Sequence, residues 1–164
     1  MIEDHVPDRF YPDYYPRFSN EPTKKRFSII QTDDVGEGII SLVDFTAGET
    51  VFRFAGVLLN EVTLFTLQMQ PGHHLHDPFF MGKVLHSCDP NMHCDMTTQT
   101  FTAIKNIKKG DFLTMDYETT EDVLFRSFEC KCGAPNCKKL IKGKIFRLQH
   151  IQGVPDIQYA VAET

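Results

Sequence analysis

Apolar positions along this chain come in short runs with strand-like spacing, separated by polar turns. From Lys25 onward "RFSIIQT", "GIISLVDF" and "TVFRFAGVLLN" follow one another, divided by Asp33-Asp34 and by Ala47-Gly48-Glu49. Runs of this length, bounded in this way, predict a β meander. "MTTQTFTAIKNI" and "FLTMDY" repeat the pattern, joined at Lys108-Lys109-Gly110-Asp111, a turn that carries glycine. Helical spacing is scarce. "NEVTLFTLQM", residues 60–69, sets Val62, Phe65 and Met69 on one stripe and ends at Pro71-Gly72, which predicts one short helix. Residues 119–129 start polar and carry Val123, Leu124 and Phe128, a pattern that allows a helical turn or two. The expected fold class is mainly β, with few short helices.

The two ends break the pattern. The opening residues mix tyrosines and prolines with charges, which predicts an extended arm lying along a surface. The stretch after Gly143 has no sustained period and reads as a partly docked tail. With 164 residues, 41% of them hydrophobic, the chain suits one compact domain. Such a domain buries about 70% of the surface its unfolded chain exposes, so any metal acts as a local staple.

A formal charge of -5 and a pI near 5.8 argue against direct nucleic-acid binding through phosphate neutralisation and tilt toward a basic partner. No run approaches the ~18 apolar residues of a membrane span. The opening has acids and prolines where a signal peptide needs a positive flank and an apolar core. Five cysteines without a secretion signal predict reduced thiols or metal ligands, hence a cytoplasmic, reducing setting. A small β domain with open edges and an unpaired arm also predicts a homodimer.

Cys130, Cys132 and Cys137 lie around a Gly-Ala-Pro-Asn turn, so three thiolates converge with little loop-closure entropy. A structural zinc site is closed and tetrahedral, so a fourth ligand must come from elsewhere. By residue type the candidates are Cys88, Cys94 and His93, all within "VLHSCDPNMHCD". Gly36 and Gly38 precede a strand and let backbone approach a ligand. Taken alone, they equally open a hairpin. His73, His74 and His76 diverge along the chain and make a poor metal box.

In order, these pieces resemble the SET-domain methyltransferases with a post-SET zinc cluster. "GEGIISLVDFTAGETVFRFAG" is similar to that family's glycine motif, AGE turn and aromatic-x-Gly strand end; "HSCDPN" to its central signature; "AIKNIKKGDFLTMDY" to its tyrosine signature; and "CKCGAPNC" to its post-SET cysteines. The resemblance implies an arm at 1–24, the SET domain at 25–120, a post-SET zinc segment at 121–143 and a tail at 144–164. It implies a β-clip-like fold of several small curved sheets with a pseudoknot joining "HSCDPN" to the strand that ends at Tyr117.

The methyl donor implied is S-adenosylmethionine, held by Glu37, Gly38, Ile39, Leu85, His86, Tyr117 and Leu140. The implied catalytic residue is Tyr117, and the substrate channel runs between Phe54, Phe112, Met115 and Phe128. The zinc ligands implied are Cys88, Cys130, Cys132 and Cys137. The acceptor implied is a lysine of a basic protein or peptide. At pH 7 only about one lysine in 2,500 is neutral, roughly 4.6 kcal/mol of barrier that a desolvating aromatic channel beside a sulfonium reduces.

Three positions depart from the family. Leu85 stands where an Asn commonly holds the donor, Met115 where a Phe or Tyr limits methylation, and Phe54 where Tyr is frequent. Leu85 implies weaker donor binding, and Met115 implies that multiple methylation is permitted. The short span between Gly56 and His86 resembles minimal bacterial or viral members and leaves the substrate unspecified. Two other readings stay open: a zinc-stapled binding module that has lost catalysis, and a methyltransferase for a small-molecule amine.

Overall fold

The computed structural model describes residues 8–148. It is built of small sheets, with one short helix and two 3-10 turns. β1 (Phe27–Gln31) and β2 (Glu37–Ser41) form a hairpin in which Phe27 faces Ser41 and Ile29 faces Ile39. Gly36 closes its turn at φ +77°, a conformation that side chains with a Cβ resist.

β3 (Thr50–Arg53) pairs with β9 (Thr100–Ala103), which also pairs with β8 (Met92–Asp95). Their inward faces build an aromatic core. Phe52 stacks on Phe101 at 4.6 Å and meets Phe80 edge-on at 4.8 Å, and Phe27 joins Phe80 at 5.3 Å. Offset and edge contacts of this kind add to simple area burial. A third sheet, in the order β4 (Val57–Leu59), β6 (His73–His76), β5 (Thr66–Gln70), stands between Gly56 and the central segment.

The sequence pattern misplaces several boundaries. Residues 60–69 form no helix: the chain bends, then enters β5, where Thr66, Leu67 and Gln68 pair with His76, Leu75 and His74. The helical stripe loses because Pro71-Gly72, read as a helix stop, is the turn of a hairpin, with Gly72 at φ +78°. "TVFRFAGVLLN" splits into two strands at Phe54–Gly56, and "MTTQ" is the β8–β9 turn. Of residues 119–129, Thr119 ends a 3-10 turn, and Phe128–Glu129 form β11 against β12 (Leu140–Ile141). Lys144–Leu148 form α1, and the rest of the tail lies outside the described residues.

Residues 8–24 are folded back on their own chain. Tyr11 is 3% exposed; its hydroxyl donates to Asp77 (2.7 Å) and accepts the N–H of Ala55 (3.2 Å). Asp77 also accepts the backbone N–H groups of Phe79, Phe80 and Met81. Arg9 binds Glu21 and the carbonyls of Pro12, Tyr15 and Pro16. Residues 8–24 of the segment expected as an arm therefore form part of the core's wall, and residues 1–7 lie outside the described residues. Among the described residues no helix is long and apolar enough to cross a membrane.

Candidate active site and metal centre

Two chain segments far apart in sequence run side by side. β7 (Leu85–His86) and β10 (Thr114–Met115) pair in parallel, Leu85 facing Thr114 and His86 facing Met115. Asn91 locks them: its amide donates to the Phe112 carbonyl (2.8 Å) and accepts the N–H of Thr114 (2.9 Å). The strand then delivers Tyr117 into a 3-10 turn capped by Asp116, whose carboxylate accepts the N–H of Glu118 (3.0 Å).

Tyr117 is fixed at both ends. Its N–H donates to His86 Nδ1 (3.1 Å) and its hydroxyl to the Val84 carbonyl (2.6 Å). Its ring meets His86 at 5.1 Å and Phe128 at 6.0 Å, and Phe128 meets His86 at 5.6 Å. Burial, with Glu121 nearby, raises the Tyr117 phenol well above its ordinary value, so it stays protonated. Burial pushes His86 down to about 4, against the pull of Asp116. The ring is neutral near pH 7, so the 3.8 Å approach of Asp116 is no ion pair. Because Nδ1 accepts, the ring proton sits on Nε2, 3.4 Å from Cys88 Sγ.

A second wall adjoins this one. A Cβ added to Gly38 would lie 2.8 Å from Leu85 Cδ1 and 3.0 Å from Phe112 Cε1, so glycine here admits both side chains. Glu37 pairs with Lys83, and Ile39, fully buried, accepts the Leu113 N–H through its carbonyl (2.8 Å). Leu140 is half-exposed on β12, next to the strand that carries Phe128.

The predicted channel residues divide. Phe112 joins Gly38 and Leu85, and Phe128 joins His86 and Tyr117. Phe54 and Met115 are 2% and 1% exposed and belong to the main core, where Phe54 packs on Phe101 and Phe52.

The sulfurs of Cys88, Cys130, Cys132 and Cys137 all lie within 4.8 Å of one another, with Cys88 and Cys130 3.9 Å apart. Four thiolates at ~2.3 Å from zinc stand about 3.8 Å apart at tetrahedral angles, so this donor set fits the ion. The backbone N–H of Ala134 pushes the Cys132 thiol down to about 6, which favours a thiolate at neutral pH. The Lys138 N–H donates to Cys88 Sγ (3.3 Å), and the Asn136 amide to the Cys88 carbonyl (3.0 Å). The other candidates stand apart: His93 is exposed, and Cys94 is buried in the main core, its thiol donating to Met96 Sδ (3.5 Å). His73 is exposed and His74 buried on β6. Among the described residues only the four cysteines gather as a metal-binding group.

The site also contains residues that motif reading passed over. Glu118, 6% exposed, accepts from Arg147 Nε (2.7 Å) and the Gly143 N–H (3.1 Å) and pairs with Lys138 (3.2 Å). Lys138 also pairs with Asp116 (2.7 Å). Burial works against ionisation, but Arg147, the Gly143 amide and Lys138 together hold the Glu118 carboxyl below its ordinary value. The two acids flanking Tyr117 thus clamp the cysteine segment and α1 over it. The signal was in "MDYETTED", an acid-rich stretch directly after an apolar strand.

The fold and site define a small multi-sheet β protein whose half-buried tyrosine lies beside a cysteine-rich segment. The chain belongs to the SET domain family, whose sequence profile matches residues 36–118. It is similar to histone-lysine N-methyltransferase ASHH3 of Arabidopsis thaliana, 24% identical over 70% of this chain and 38% of that protein. It is likewise similar to histone-lysine N-methyltransferase EHMT1 of Homo sapiens, 28% identical over 85% of this chain and 13% of that protein. The chain therefore spans well under half the length of these relatives. Its fold resembles the crystal structure of KRYPTONITE in complex with mCHH DNA, H3(1-15) peptide and SAH, with a TM-score of 0.56 and 24% identity over 70% of this chain and 29% of that one.

Proposed function

We propose that this chain transfers methyl groups from S-adenosylmethionine to a lysine side chain of a basic protein. The observation that carries the reading is the fixing of Tyr117, pinned by His86 and Val84 and packed edge-on against Phe128 of β11. The histone-lysine methyltransferase names of the relatives support the reaction class. SAH and the H3(1-15) peptide in the KRYPTONITE structure support the donor and the acceptor class.

The donor supplies an electrophilic methyl group on a sulfonium. The chain supplies position. The Tyr117 hydroxyl is committed as a donor to Val84, so its oxygen is left to accept, which suits it to orient an incoming amine. Its high pKa excludes it as a base at neutral pH. Phe128, backed by the buried neutral His86 ring, offers an apolar face that disfavours an ammonium by desolvation. Gly38, Leu85 and Phe112 form an apolar floor beside them. Cys88, Cys130, Cys132 and Cys137 would hold zinc, whose part is to staple the segment bearing Leu140.

The test is calorimetric titration of S-adenosylmethionine into the zinc-loaded chain, with Tyr117→Phe as control. One site per chain, little changed by the control, is the expected result. No binding at millimolar donor would leave the zinc-stapled binding module as the leading account.

A further inference from the structure

A cavity of about 400 Å³ opens between the β4–β6–β5 sheet and the β8–β9 turn. Leu58 of β4, Met69 and Gln70 of β5, His73 of β6, and Met96 and Thr97 of the turn line it. None of these residues holds Tyr117, lines the Gly38 face or belongs to the cysteine cluster. Three of them carry metal-binding atoms: Met69 and Met96 a thioether sulfur each, and His73 an imidazole.

Both walls set their donors in place. The β5–β6 ladder slips by one residue, Gln68 facing His74 and Gln70 facing His73, so Met69 is the extra residue of a bulge. Bulges re-aim a side chain, and Met69 is 39% exposed at the cavity it shares with His73. His73 Nδ1 lies 3.0 Å from the Gln70 amide nitrogen and 3.3 Å from the Pro71 carbonyl oxygen. That nitrogen is engaged within the hairpin, which leaves Nε2 for a ligand. Across the cavity, Asp95 accepts the N–H groups of Thr97 (2.9 Å) and Thr98 (3.3 Å) and so fixes the turn. The buried Cys94 thiol donates to Met96 Sδ (3.5 Å), which holds that sulfur by one lone pair and leaves the other.

The donors select the ion. Among the described residues the four cysteines are the one cluster of thiolate, imidazole or carboxylate ligands, and this cavity instead combines a single imidazole with polarisable thioethers. Magnesium and calcium take oxygen ligands, and zinc takes thiolate, imidazole or carboxylate. Thioethers with imidazole suit copper(I), whose single charge needs no anionic ligand beside it. We propose that Met69, His73 and Met96 form a copper(I) site, with Cys94 positioning the Met96 sulfur. The site is independent of the methyltransferase reading.

The test is titration of the zinc-loaded full chain, its methionine methyl groups labelled with carbon-13, with copper(I) kept reduced by ascorbate and buffered by a colorimetric copper(I) chelator. Zinc release is followed in the same samples. One copper(I) per chain should bind before zinc leaves, shifting the methyl signals of Met69 and Met96 and leaving those of the core residues Met81 and Met115 in place. Met69→Leu, Met96→Leu and His73→Ala should each weaken copper(I) by at least about tenfold, the cost of losing even a supporting partner of a metal ligand. Zinc content and the remaining methyl signals report whether each variant is folded. Should Met96→Leu misfold, the variants at the exposed Met69 and His73 decide. Copper(I) that binds only as zinc is released, that leaves the Met69 and Met96 methyl signals unmoved, or that binds the folded variants as tightly as the wild type overturns the proposal.

Discussion

His86 Nε2 lies 3.4 Å from Cys88 Sγ, so the ring that holds the Tyr117 backbone touches a member of the sulfur cluster. The metal centre and the tyrosine are therefore coupled through one side chain. Partners of metal ligands fix ligand orientation and, here, the reverse also holds.

Zinc removal should therefore harm the site more than the core. The aromatic cluster of Phe27, Phe52, Phe80 and Phe101 lies apart from the cysteines. Chelation is expected to abolish donor binding while urea unfolding of the main core stays cooperative, read by calorimetry and circular dichroism on the same sample. Cys94→Ala should leave zinc at one per chain, and Cys88→Ala should lower it. Equal zinc loss in both variants would contradict the assignment of Cys88.

Leu85 rests on Gly38 where a polar contact to the donor is expected in the family. Leu85→Asn should tighten donor binding by about tenfold, the worth of one hydrogen bond to a charged group. Titration of wild type and variant at one pH reads the change directly. Weaker binding in the variant would show that the apolar floor is itself part of the donor site.

Glu121 gives the chain an unusual pH dependence. Its folded pKa is raised from 4.5 to about 7, so between those values the folded state holds the proton more firmly than the unfolded one. Stability is thus lost as pH rises through that window, by on the order of 3 kcal/mol. Urea midpoints should fall from the acid to the alkaline end, and Glu121→Gln should flatten the profile.

Glu118 acts in the opposite sense. Its lowered pKa contributes stability that is present above the unfolded carboxylate value and is lost as pH falls through the folded one. Glu118→Gln should cost about 1–3 kcal/mol at neutral pH by leaving Arg147 and Lys138 without their shared partner. It should also speed proteolysis after Gly143 under native conditions. Unchanged cleavage there would show that α1 is held by other contacts.

The site was legible wherever its chemistry is local. The three cysteines of residues 130–137 announce themselves by spacing, whereas Tyr117, an ordinary strand-end tyrosine by itself, gained its role only from the family resemblance of the motif that ends its strand. Cys88 needed the family resemblance, because its place beside Cys130 depends on the parallel pairing of Leu85–His86 with Thr114–Met115. β5 was misread because Val62, Phe65 and Met69 satisfy a helical period, while the pairing of Leu67 with Leu75 that decides the matter is made across a turn. Glu121 and Glu118 look like solvated acids in the sequence. Their burial comes from Gln68, Gly143 and Arg147, partners that no local pattern identifies.

The central claim is methyl transfer at Tyr117. Its most direct test is mass spectrometry of an H3(1-15) peptide and of a mixture of basic proteins after incubation with the zinc-loaded chain and S-adenosylmethionine, in parallel with Tyr117→Phe. The account predicts lysines carrying one or more added methyl groups with the wild type, and a loss of at least about tenfold in rate with the variant. Donor binding without a methylated lysine on any of them, or equal rates for the two proteins, would contradict it.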